Sequence, residues 1–429
     1  MNPQVESKSE KALIQTMGGM RYKRIWINLS IAGLSMVGLL GLLLRTKILL
    51  PLPLINYNHL LEAHSHFNFS GWVTLSLMIL MVSELVPQQS PSNLRYDWLI
   101  GTAAGVSWCM MIVFLIKGYH AFSIVVSTVF ITITYVFAFV FTLDLMKTRL
   151  PKAVRLLAVS SLACLVLSSF GPFVIDYIFF SNSFQSFTFL YRDSLFTYLH
   201  FQYNGFFSLA ILALLFNEIL KKGHPNPNTN MDLFAYILVI SLIPSLFLSY
   251  MWQDPVAAYR AIAIVGSGLT LVSGILFIRA YSPLHGKFLQ GDGLVVRALI
   301  LISMISFVLK LFLQCFTIIP VIGNEIFGNR PIIMAFLHLV FLSFVTLFIL
   351  AFFAKKQILD PKKKITRVAL IFFAAGVLLN EVILISQGLI TVFSPATVIF
   401  LWLLWGAAIW LAIGAAMITI ARAQTNTSS

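Results

Sequence analysis

The chain has 429 residues, 59% of them hydrophobic and only 10% charged, with a mean hydropathy of +0.91 and a net charge of +14. A soluble domain carries about 25% charged residues to cover its surface, so this composition excludes one. The basic surplus does not point to nucleic acid, because it sits in short loops between long apolar runs.

The polar stretch 1–24 reads as a cytoplasmic tail. It is too long for the n-region of a signal peptide, and the run behind it is too long for an h-region. Twelve apolar runs follow, each reaching the roughly 20 residues that cross a ~30 Å hydrocarbon core. They lie at 25–44, 61–85, 98–116, 121–145, 154–180, 195–220, 233–252, 256–278, 295–319, 331–353, 368–391 and 395–420. A short cytoplasmic tail, 423–429, closes the chain. The expected fold is all-α: one polytopic membrane domain, 25–422, of twelve transmembrane helices. Cys109, Cys164 and Cys315 all fall inside apolar runs without a CxxC pattern, so neither a disulfide nor a thiolate metal site is expected.

Loop charge gives an independent check. With the N-terminus inside, the inner loops and tails hold 22 Lys and Arg and the outer loops 6, Lys310 alone lying within a helix. A wrong helix count would scramble that alternation, so it supports twelve crossings and two cytoplasmic termini. The lipid bilayer is the partner this reading requires, and a multi-pass place in the cell membrane follows.

Three histidines fall in predicted helices two, six and ten with similar surroundings. The segments are His66-Phe-Asn-Phe-Ser-Gly-Trp, His200-Phe-Gln-Tyr-Asn-Gly-Phe and His338-Leu-Val-Phe-Leu-Ser-Phe. Each has an aromatic residue at +3, a small one at +5 and an aromatic at +6. The intervals, 134 and 138 residues, each span four helices, which suggests three four-helix units at 25–145, 154–278 and 295–420 around a pseudo-threefold axis. The histidines lie roughly 9–12 Å from the outer ends at 1.5 Å per residue, so three imidazoles share one depth and can converge. Imidazole in hydrocarbon is costly unless paired, hydrated or bound to metal. The plain reading is three histidines hydrogen-bonded to neighbouring helices. The chemical reading is ligation of a metal or haem, since histidine is the commonest metal ligand and two facing imidazoles can grip a haem iron.

Helix two offers His64 as well as His66, in Glu62-Ala-His-Ser-His. Residues two apart point about 200° apart, so both cannot reach one centre, and the repeat favours His66. Glu62 shares the His66 face and could orient its ring. His64 is left to face a carboxylate, a propionate or a neighbouring helix.

This pattern resembles the haem-copper oxidase subunit I superfamily, and the His-x-His of helix two is also similar to the NnrS family of haem- and copper-containing membrane proteins. The resemblance implies a pseudo-threefold array of twelve helices in a bacterial inner membrane and a role in electron transport, with no redox partner named. It implies that His66 and His338 ligate a low-spin b-type haem, and that His200, with Tyr203 beside it, takes the copper position. Glu62, Tyr203, Asn204 and Arg260 are the supporting candidates, Arg260 as an interfacial anchor or a holder of a propionate. The chain departs from the oxidases in reading His-x-x-Tyr for His-x-x-x-Tyr, in lacking the His-His pair in 233–252 and a second histidine on helix ten, and in lacking paired arginines in 388–396. Full terminal oxidase activity is therefore not expected. One haem fits the inventory, or one copper or other transition metal held by His66, His200 and His338.

Lys310 on helix nine and Glu381 on helix eleven sit at similar predicted depth. A buried ion pair is the economical reading, and a proton relay or substrate-binding charge the functional one. With twelve helices and both termini inside, a secondary transporter is the alternative function. A membrane-embedded enzyme or assembly factor without haem is the third.

Overall fold

The computed structural model describes residues 3–86, 93–181, 186–221, 229–252, 256–393 and 398–426, without the side chains of 3–23. The outermost parts of the two predicted tails, 1–2 and 427–429, lie outside the described residues. Among the described residues the fold is all helical, and twelve helices are long and apolar enough to cross a membrane. They are α1 (Arg24–Leu49), α2 (Tyr57–Leu85), α3 (Leu94–Lys117), α4 (Ala121–Met146), α5 (Lys152–Phe180) and α6 (Thr188–Lys221). The second half comprises α7 (Thr229–Tyr250), α8 (Ala257–Gly286), α9 (Leu294–Ile318), α10 (Arg330–Lys355), α11 (Lys364–Thr391) and α12 (Val398–Gln424). Several run past the apolar stretch that betrays them: α6 begins at Thr188, where the apolar run begins at 195, because helical hydrogen bonding continues through Tyr191, Arg192 and Asp193.

Nine helices form a closed ring. Following contacts, the order is α1, α3, α4, α5, α7, α8, α9, α11, α12 and back to α1. The other three, α2, α6 and α10, stand inside it. Their most apolar stretches are 72%, 94% and 61% buried, whereas no ring helix exceeds 56%. Behind each inner helix two ring helices meet: α1 with α3 behind α2, α5 with α7 behind α6, and α9 with α11 behind α10.

Each inner helix changes pitch just after its histidine. Asn68–Thr74, Phe201–Phe207 and Leu339–Thr346 are π-helical, a rare geometry that usually occurs as a single turn. Side chains satisfy carbonyls beside the wider turns. Ser70 Oγ donates to His66 O at 2.8 Å, Ser208 Oγ to Tyr203 O, and Ser303 Oγ, from α9, to Phe344 O at 2.7 Å. In hydrocarbon such backbone groups have no water to turn to, which is why hydroxyls collect here.

The small residue at +5 admits the ring helix behind. A Cβ on Gly33 of α1 would lie 2.7 Å from the Gly71 carbonyl, and one on Gly205 would lie 2.4 Å from Cβ of Cys164 on α5. Close backbone approach of this kind is how helices associate in lipid. Aromatic residues of the same segments fill the middle of the bundle. Phe69, Phe207 and Phe341 touch pairwise, with ring centroids 4.8, 5.7 and 6.1 Å apart, and Tyr203 lies 6.3 Å from Phe341. Trp72 Nε1 donates to Thr346 Oγ1 at 3.0 Å and ties α2 to α10.

The two ends of the bundle differ in charge. One end, termed here the arginine end, carries Arg45, Tyr57 and Arg330, with Arg330 Nη2 donating to Tyr57 Oη at 3.3 Å. At the other, the lysine end, Lys356 Nζ sits 2.9 Å from Glu84 and 2.7 Å from Glu218, and Lys221 lies 3.1 Å from Glu84. One ammonium just beyond α10 thus clamps α2 to α6.

Candidate functional site

The histidines of the repeat do not converge. The middle of the bundle is occupied by Phe69, Phe207 and Phe341, and each imidazole has different neighbours. His66 stacks on Phe114 of α3 at 4.2 Å, and its Nε2 lies 3.7 Å from Glu62 Oε2 one turn earlier. Glu62 is thus beside His66, on the side of the surrounding helices. His66 lies within electrostatic range of Asp176 of α5, which accepts from Tyr119, and Tyr119 and Glu62 line an open cavity of about 290 Å³ with Asn58, His59 and Lys117.

His200 has both ring nitrogens engaged. Nε2 donates to the Leu242 carbonyl of α7 at 2.9 Å, and Nδ1 accepts from Asn204 Nδ2 at 3.1 Å. Asn204 in turn accepts from Lys310 Nζ at 3.1 Å through its Oδ1. Lys310 is fully buried, and its ammonium also donates to Tyr203 O at 3.2 Å and to Ser208 Oγ at 2.6 Å. The expected Lys310–Glu381 pair is not what the structure builds. The wide turn of α6 presents three oxygens to the ammonium, while Glu381 receives only a 3.4 Å contact from Asn380. Beside Lys310 is a partly open space of about 10 Å³, room for a single water, lined also by Ser241, Ser245 and Gln314.

His338 and His64 form the third cluster. His338 Nδ1 donates to Met334 O at 2.7 Å, which fixes the tautomer and leaves Nε2 with a free lone pair. Arg45 and His64 both lie within electrostatic range of its ring. The His64 ring lies against the Val37 backbone of α1, and its Nδ1 is buried with no partner among the described residues. Gly41 makes room for it: a Cβ there would stand 3.2 Å from His64 Cε1. Toward the arginine end, Arg45 interacts with Tyr57 and with Arg330. His64 of α2, His338 of α10 and Arg45 of α1 thus lie within electrostatic range of one another, and Arg330 lies within range of Arg45. Arg260 heads α8, which packs on α7 and α9, so it is remote from this cluster.

Among the described residues no three His, Cys, Asp or Glu side chains stand close enough to hold one metal ion. His66, His200 and His338 are thus not brought to a common centre. Compared with models of known protein families and with characterised proteins, the chain matches none. Fold and composition together define an all-helical membrane protein of twelve spans.

Proposed function

We propose that the chain is a membrane-embedded haem-binding protein of oxidase-subunit-I-like architecture, with a single b-type haem between α2 and α10 and without an oxygen-reducing centre. The observation that carries this is that His64, whose buried Nδ1 lacks a partner among the described residues, lies within electrostatic range of His338, whose Nε2 is left free. A buried polar atom without a partner is rare enough to need a reason. A two-imidazole donor set suits a group that brings its own in-plane ligands, whereas a bare ion would need further protein donors. Arg45 and Arg330 supply the paired cations that carboxylate side arms of such a group require. Bound there, the haem would supply a one-electron iron couple for electron transport.

The same reading makes the bundle three four-helix units about a pseudo-threefold axis, with both termini cytoplasmic. Its support is that repeat-equivalent residues meet: the aromatics at +3, and the contacts α1–α3, α5–α7 and α9–α11 behind each inner helix.

Purified protein should show a Soret band and sharp reduced bands. His64→Ala and His338→Ala should each abolish them, and His66→Ala should leave them intact. Wild-type protein free of haem, or loss of haem in the His66 variant alone, defeats the assignment. A secondary transporter is the second reading, favoured by the Lys310–Asn204–Ser208 network in mid-bundle. It would be preferred if haem is absent and Lys310→Met abolishes uptake of a solute into proteoliposomes.

A further inference from the structure

Glu381 stands in α11, ten residues before Thr391 and so about 15 Å down the helix from that end. It is only 5% exposed. Its Oε1 accepts the long contact from Asn380, and its Oε2 is buried with no partner among the described residues. Every basic group on the helices packed against α11 is engaged elsewhere. On α10, Arg330 bonds Tyr57, His338 bonds Met334 and Lys355 bonds Asp292. On α9, Lys310 serves the oxygens of α6 and Arg297 the Asp292 carbonyl. On α12, Arg422 bonds Asn28 and the Ile358 carbonyl. Among the described residues, Asn380 alone interacts with Glu381 electrostatically.

From this geometry we propose that Glu381 is a membrane-embedded proton-binding site, holding its proton as an uncharged acid and exchanging it with water when the α10–α11–α12 contact opens. An ionised carboxylate here would be desolvated with no cation beside it, the arrangement proteins avoid. The bare Oε2 is the atom that carries the proton. A purely structural role is the wrong fit, because an acid with one long hydrogen bond adds little and an apolar residue of similar size would pack as well. Buried acids of this kind in spanning helices mark ion or proton pathways.

The site also has a chemical signature. A hydrophobic carbodiimide takes the acid proton on one nitrogen while the carboxyl oxygen adds to its central carbon; the acyl group then migrates to nitrogen and leaves a stable N-acylurea. No oxidant or reductant is needed, but the acid must be protonated.

The test uses the full chain in nanodiscs at neutral pH. The infrared spectrum should contain a protonated-carboxyl stretch that moves in heavy water and disappears in Glu381→Gln. Dicyclohexylcarbodiimide should modify Glu381 in the wild type, with the adduct lost in Glu381→Gln. Glu381→Leu should melt at or above the wild-type temperature. A band unchanged in Glu381→Gln, a band that does not shift in heavy water, absence of the adduct, or a large drop in melting temperature for Glu381→Leu each overturns the proposal. None of these readouts depends on whether the protein holds haem.

Discussion

Lys356 Nζ lies 2.7 Å from Glu218 Oε2, and the two residues hold the same place on neighbouring inner helices, each 18 positions after that helix's histidine (356 − 338 and 218 − 200). Glu84 stands 18 positions after His66 and accepts from the same ammonium at 2.9 Å. Three repeat-equivalent side chains therefore meet in one ion cluster, two acids around one base. Removing one partner of a buried pair strands the other charge and costs about 3–5 kcal/mol. Lys356 is 25% exposed, so Lys356→Met should destabilise by less, about 2 kcal/mol. Exchanging charges, Glu218→Lys with Lys356→Glu, should restore most of the loss in a thermal-shift assay, because the positions are equivalent. A double variant no better than the singles would contradict that equivalence.

The clamp also sets a pH dependence. Burial pulls the Lys356 ammonium down, but the hydrogen bonds and charges of Glu218 and Glu84 outweigh it and hold the group above its ordinary value of 10.5. A lysine raised in the folded state gives stability that is complete below its unfolded value and is lost as pH rises through the folded one. The gap in melting temperature between wild type and Lys356→Met should thus stay constant through neutral pH and close only in strongly alkaline solution. A gap that closes near pH 7 would show another group in control.

Gly41 should govern the proposed haem site sterically. A Cβ at 3.2 Å from His64 Cε1 is tight, so Gly41→Ala should shift the haem spectrum or weaken retention modestly. Gly41→Val should displace the ring and lose the haem while keeping the helical circular dichroism. Full haem occupancy in the valine variant would place the ligand elsewhere.

Phe207 is fully buried among Phe69, Phe206 and Phe341. Phe207→Ala should cost about 3–5 kcal/mol, the range for large-to-small changes in a packed core. Thermal unfolding followed by tryptophan fluorescence measures it. A loss below about 1 kcal/mol would mean that the three inner helices are not held by this contact.

Orientation can be read by labelling in a cysteine-free background. Cysteine at Leu54, which is 99% exposed, should react with an impermeant maleimide on intact cells. Cysteine at Lys362, in the exposed turn between α10 and α11, should react only after permeabilisation. The reverse pattern would invert the topology assigned from loop charge.

The twelve helices were legible because each carries a long apolar run, and lipid imposes that requirement without exception. The sequence pattern around the three histidines was legible too, but not which of its side chains would touch. The aromatics at +3 and the small residues at +5 mark the middle of the bundle and the close backbone contacts, as Phe69 and Gly71 show. Those same constraints stack His66 on Phe114, whereas His64, two residues earlier, lies within electrostatic range of His338. The choice between His64 and His66 depended on the direction of one turn of helix, which spacing alone does not supply. Glu84, Glu218 and Lys356 share the register of the histidines yet escaped notice because they are complementary, not alike. Lys310 was read as needing a carboxylate, since nothing in the sequence announces that a widened turn would offer Tyr203, Asn204 and Ser208 in its place.

The widened turns have a mechanical consequence. Each lies between a histidine near one membrane face and a charged residue near the other, and all three helices keep that separation at 18 residues. Deleting a single residue from one of them would rotate half of that helix by about 100° against the other half. Its charged residue and its histidine could then no longer both keep their partners. The inner helices behave as three shafts cut to one gear ratio, and a change of length in any of them is transmitted from face to face.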